Sequence, residues 1–179
     1  MTHSYLSIAR TARVREAEER RGSLRAYAGA DFGDQDHDRL GPQEATFIAA
    51  RDSFYLASVS ETGWPYVQHR GGPPGFLRVI DETTLGFADF RGNRQYLTVG
   101  NLDGDDRVSL FLMDYANRRR LKIFGHARIV EGTSEDGLSV PGYRASVERS
   151  VIIRVAGFDW NCPQHITPRF TAEEWQARA

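Results

Sequence analysis

Leu121-Lys122-Ile123-Phe124-Gly125-His126-Ala127-Arg128-Ile129-Val130 is the most regular stretch of the chain. Leu121, Ile123, Gly125, Ala127 and Ile129 fall on one side, and Lys122, Phe124, His126 and Arg128 on the other. A period of two marks a β-strand buried on one face. Residues 147–158 alternate similarly and bring Val147, Val151, Ile153 and Val155 together.

The same reading extends upstream. Residues 53–60 form a β-branched and aromatic run, followed by a turn at Glu61-Thr62-Gly63 and a second strand over 65–70. Segments 76–80 and 85–89 flank Asp81-Glu82-Thr83-Thr84 as a hairpin, and 107–114 reads as a further strand. Helices are few. Residues 11–27 read as one exposed helix, 42–50 as a short helix opened by Pro42, 93–101 as another, and the tail from Thr171 as a last one. Residues 29–41 and 132–142 read as loops. Six or seven short strands joined by tight turns predict a mainly β protein, an antiparallel barrel or sandwich, rather than a βαβ sheet. A barrel also removes exposed strand edges.

The chain has 179 residues, of which 40% are hydrophobic, enough for one core without a disulfide framework or a structural metal. Its formal net charge of -1 argues against nucleic acid or an acidic membrane as partner. Cys162 is the sole cysteine, which leaves no internal disulfide, and Cys162 with His165 makes only half a zinc site, so no metal is expected. No apolar run reaches membrane-spanning length, and residues 1–25 lack the apolar centre of a signal peptide. The expected location is the cytoplasm.

Three polar clusters interrupt the apolar pattern. Gln68-His69-Arg70-Gly71-Gly72-Pro73-Pro74-Gly75 ends a strand in glycines, which let a backbone approach a ligand closely; an ordinary hairpin loop is the alternative. Asp89-Phe90-Arg91-Gly92-Asn93-Arg94-Gln95 joins a strand to a helix start, where unpaired N–H groups bind phosphate. Arg94 in a first helical turn opposes the helix dipole, which an anion would explain; Asn93 as a plain N-cap beside a solvated Arg94 is the alternative. Asn117-Arg118-Arg119-Arg120 is either a solvated turn or an anion site.

With these clusters in this order, the sequence resembles the pyridoxamine 5'-phosphate oxidase-like family of FMN-binding split barrels over residues 41–170. The resemblance rests on 63–72, 86–95, 119–127 and Asp159-Trp160-Asn161-Cys162-Pro163-Gln164-His165-Ile166-Thr167-Pro168-Arg169. It implies a six-stranded antiparallel split barrel with peripheral helices, flanked by an N-terminal extension (1–40) and a C-terminal helical tail (171–179). It further implies a homodimer holding FMN between subunits. Gln68, His69, Arg70 and Gly71 would line the ring, with Ala88 and Asp89 approaching from the next strand. Asn93, Arg94 and Gln95 would grip the phosphate, although family oxidases often carry Lys where this chain has Gln95. Arg120, Trp160 and Arg169 would come from the other subunit.

The expected function is therefore that of an FMN-dependent oxidoreductase, possibly reduced by NAD(P)H, with His69 and Tyr66 as catalytic candidates. The substrate is expected to differ from pyridoxamine phosphate. Pro73 stands near the position of a substrate-binding basic residue, and residues 131–146 are only a short loop with Tyr143-Arg144 as a faint echo of the family's insertion. A non-catalytic flavin-binding or redox-sensing protein, or a barrel holding F420 or haem, are the alternatives.

Overall fold

The computed structural model describes residues 4–28, 37–132, 138–160 and 162–178. Seven antiparallel strands form one sheet: β1 Ser53–Val59, β2 Pro65–Gly71, β3 Arg78–Asp81, β4 Thr84–Phe90, β5 Arg107–Asp114, β6 Arg119–Glu131 and β7 Val147–Trp160. Their order is β2-β1-β5-β6-β7-β4-β3. The alternation in 121–130 holds as read: Leu121, Ile123, Gly125 and Ala127 are buried along β6. In β7 the inward phase runs through Val151, Ile153 and Val155 and then slips to Phe158. A bulge causes the slip, because Phe124 pairs with Gly157 but Gly125 with Val155, leaving Ala156 extra. Gly125 is required there: a Cβ would lie 2.7 Å from the Arg154 carbonyl oxygen.

The sheet rolls upon itself. Phe54 of β1 meets Phe87 of β4 edge-on at 5.3 Å, although three strands separate them in the sheet order. Phe54, Leu56, Leu85, Phe87, Leu110, Leu112, Leu121, Ile123 and Ile153 thereby join one core. The two outermost strands, β2 and β3, do not pair with each other, so the barrel is split along that side. The resemblance implies six strands and the sheet has seven; the segment read as a strand over 76–80 is β3, paired with β4 at Arg78–Gly86, Val79–Leu85 and Asp81–Thr84.

The helices decorate this barrel. Residues 11–27 form two helices rather than one, since Gly22, at a left-handed φ of 75°, follows the end of α2. α1 Ser4–Ala9, α2 Ala12–Arg20 and α3 Leu24–Ala28 precede α4 Pro42–Ala49, which buries Phe47 and Ile48 against the barrel. α5 is Leu97–Gly104 and α6 Ala172–Gln176. α1 lies on the outer face, where Tyr5 stacks on Phe124 at 4.4 Å. Gly157 allows that approach, since its Cβ would sit 2.5 Å from the Tyr5 nitrogen. Most of the expected 29–41 loop and part of the 132–142 loop lie outside the described residues. No described helix is long and apolar enough to cross a membrane.

Candidate functional site

A cleft of about 270 Å³ opens at the split. Period-two geometry on β2 explains its first wall: Tyr66, Gln68 and Arg70 turn inward, while Val67 and His69 turn outward. β4 supplies Asp89, the following turn supplies Asn93, Arg94 and Gln95, and α5 supplies Thr98. Arg70 Nη1 donates to Asp89 Oδ1 at 2.6 Å and so bridges the split. Thr98 Oγ1 donates to Gln68 Oε1 at 3.1 Å and ties β2 to α5.

Charge is concentrated here. Asp89 and Arg149 are register partners on β4 and β7, and both are buried. Arg149 Nη1 lies 3.9 Å from Asp89 Oδ2, and its Nη2 donates to Glu148 at 3.1 Å. Burial pushes the Asp89 carboxyl above its ordinary value; Arg70 and Arg149 oppose that rise and Glu148 adds to it. The Nε atoms of Arg70, which lines the cleft, and of Arg149 behind it are buried without a hydrogen-bond acceptor.

The turn over 91–96 differs from its expected form. The helix begins at Leu97, not at 93, so Asn93 is no N-cap and Arg94 is outside the first turn. Arg94 and Tyr96 both adopt left-handed backbone, with φ of 63° and 52°, which breaks the helix before Leu97. Asn93 Oδ1 instead accepts from the Gln95 backbone N–H at 3.3 Å within the turn. Non-glycine residues in this region cost backbone energy, and such positions cluster at ligand sites. Arg94 forms no ion pair among the described residues; its Nε reaches only the Tyr96 hydroxyl, at 3.4 Å.

The expected residues separate into two places. Tyr66, Gln68, Arg70, Asp89, Asn93, Arg94 and Gln95 line the cleft at the split. Arg120 and Arg169 meet in a second, outer cleft of about 510 Å³ with Tyr55, Val67, Tyr115 and His165. Arg169 stands 5.0 Å over the Tyr115 ring, and Arg120 Nε is buried without an acceptor. His69 faces outward against Tyr55 at 5.7 Å, Gly71 closes β2 beyond the cleft, and Ala88 is buried without lining it. Trp160 lies outside both clefts: its Nε1 donates to Glu44 Oε1 at 2.7 Å, and its ring packs against Phe47 and Arg119.

Sequence reading missed Glu148, Arg149, Tyr96 and Thr98. One signal was present: Arg149 interrupts the apolar phase of Val147, Val151 and Ile153, a position where only a partnered charge is stable. Glu44 as the Trp160 acceptor had no sequence signal, being 116 residues away. Among the described residues no group of three or more metal-ligating side chains converges.

Residues 40–157 match the pyridoxamine 5'-phosphate oxidase family model. No curated protein sequence matches the chain. Among solved structures it resembles a candidate pyridoxamine 5'-phosphate oxidase from Lactobacillus delbrueckii, with TM-score 0.53 and 16% identity over 68% of this chain and 94% of that one. HupZ of Group A Streptococcus gives 0.52 and 15%, covering 73% and 100% of the two chains. An FMN-binding protein of Syntrophomonas wolfei gives 0.52 and 12%, covering 66% and 83%. At these identities the structures establish shared architecture, and the family model, spanning most of the barrel, establishes kinship. The chain belongs to the pyridoxamine 5'-phosphate oxidase family and carries its split-barrel fold.

Proposed function

We propose that the protein is an FMN-dependent oxidoreductase that works as a homodimer in the cytoplasm. The observation that carries this reading is the cleft at the split, where Arg94 of the strained turn and Arg70 of β2 line a common space. Guanidinium groups and turn N–H groups are the natural partners of a phosphate monoester. In this reading Asn93, Arg94 and Gln95 hold the phosphate. Gln68 and Arg70 meet the ring edge, and Tyr66 remains the catalytic candidate because it lines the cleft whereas His69 does not. Bound FMN would supply hydride or electron transfer; the protein binds and orients it.

The case for a dimer is that the expected cations are divided between two separate clefts of one chain. The outer cleft offers Arg120 and Arg169 on a sheet face where Tyr55 is 40% and Val67 60% exposed. A second copy laying that face over the first would complete the cation set and cover the apolar strands. Trp160 would then contribute only its ring, since its N–H is committed to Glu44.

The test is to release and identify the chromophore of the purified protein, and to follow bleaching by NADH and NADPH. FMN in a sedimenting dimer, bleached by one nucleotide, is the expected result. A colourless monomer that ignores added FMN refutes the proposal. F420 or haem absorption would replace the cofactor, and bound FMN that neither nucleotide reduces would favour a storage or sensing role.

A further inference from the structure

Asp89 is an acid in a cleft otherwise suited to an anion. Its Oδ1 accepts from Arg70 of β2 at 2.6 Å, and its Oδ2 faces Arg149 of β7 at 3.9 Å. Its side chain is 9% exposed. The surrounding charges are all arginine or carboxylate. Glu148 of β7 pairs with Arg149 at 3.1 Å and with Arg91 at 3.8 Å, and Glu131 of β6 stands 4.0 Å from Arg149 Nε. The Tyr96 hydroxyl links Glu148 onward to Arg94, each contact at 3.4 Å. An unbroken polar chain thus joins the inner end of the cleft to the turn at its mouth.

We propose that Asp89 is the proton-accepting residue of this cleft: an anionic ligand draws Arg70 from Asp89, and Asp89 takes up one proton from solvent as the ligand binds. The proposal rests on the FMN reading for its ligand. The reaction balances as carboxylate plus proton giving the neutral acid, with no other bond made or broken. Two effects push the same way. Loss of the Arg70 contact removes the group that favours the ionised form, and a nearby phosphate disfavours it further. Burial already pushes the carboxyl above its ordinary value, in the same direction as these two effects. The outcome is that one added anionic charge is offset by one added proton, while Glu148 and Glu131 keep their arginine partners.

The sign follows from linkage. If the bound state holds one more proton, affinity rises as pH falls, by up to about tenfold per pH unit between the free and bound titration midpoints. The phosphate's own second ionisation, near 6, acts oppositely, because guanidinium groups favour the dianion and the phosphate monoanion gives up its proton on binding.

The experiment follows the Asp89 carboxyl carbon by NMR in the full-length protein, flavin-stripped and FMN-loaded, from about pH 4 to 8. In parallel, calorimetry in two buffers of different ionisation enthalpy counts protons for wild type and Asp89→Asn. The expected result is an Asp89 midpoint that moves upward with FMN, and a proton uptake lost in D89N. An Asp89 midpoint identical with and without FMN overturns the proposal while leaving the FMN reading intact, as does equal proton uptake by the two proteins. Failure of FMN to bind at any pH overturns both. The NMR measurement needs no variant, so a poorly folding D89N does not remove the test.

Discussion

Replacing Arg94 with alanine should separate flavin retention from folding. The guanidinium forms no ion pair among the described residues, and its one hydrogen bond, to the Tyr96 hydroxyl, is long at 3.4 Å. The left-handed φ of 63° is as unfavourable for alanine as for arginine, so backbone strain is unchanged. The urea midpoint of R94A should therefore match wild type. In the complex, one charge-assisted contact to phosphate is lost, which weakens FMN roughly 10- to 150-fold. Because Arg94 is exposed, solvent screening places the expected value near the lower end, and about 0.5 M salt should narrow the gap between the two proteins. Arg94→Lys keeps a point charge but not the bidentate fork and should fall between them. Arg91→Ala is the control, since Arg91 pairs with Glu148 at 3.8 Å and does not line the cleft. The assay is fluorescence quenching of FMN on titration with protein, alongside urea unfolding. R94A that folds normally and binds FMN as tightly as wild type would show that the phosphate does not sit at this turn.

Other expectations concern the frame around the site. Trp160→Phe keeps an aromatic ring against Phe47 and Arg119 but removes the N–H bond to the buried Glu44, and should cost about 2 kcal/mol, or roughly 4–8 °C in thermal midpoint; an unchanged midpoint would show that this bond contributes nothing net. Gly157→Ala forces a Cβ to within 2.5 Å of the Tyr5 backbone nitrogen, so α1 should lift from the sheet, read as faster proteolysis near the N-terminus; unaltered cleavage would refute that packing. Asp89 sets a pH dependence of stability. Its folded carboxyl holds a proton more tightly than the unfolded chain does, so its contribution is complete below the ordinary value of about 3.9 and is lost as pH rises through the raised folded value. Wild-type stability relative to D89N should accordingly decline from about pH 4 upward, measured by urea unfolding, and an increase would reverse the assignment.

How far the sequence leads differs between fold and site. The period of two in 121–130 and the apolar positions of 147–155 assign β6 and β7, because a sheet with one buried face imposes that period on any sequence that forms it. Gln68 and Arg70 of β2 and the 89–95 turn also mark walls of the cleft, since polar clusters inside an apolar barrel need a reason. Helix boundaries were less legible. Residues 93–101 carry helix-compatible side chains, yet the left-handed turns at Arg94 and Tyr96 postpone the helix to Leu97, and nothing local forbids the earlier start.

What the sequence by itself determined was the strand content, the inward faces and the family. Only the tertiary structure decided which charges meet. Arg70 reaches Asp89 because the sheet rolls until β2 faces β4, Arg149 joins them through the β4–β7 register, and Trp160 finds Glu44 across 116 residues. It also divided the arginines, sending Arg94 to the split and Arg120 and Arg169 to the outer face. The physical reason is one of range. Strand periodicity is dictated by neighbours two residues apart, whereas ion pairs within a closed barrel depend on curvature and register, which the whole sheet sets together.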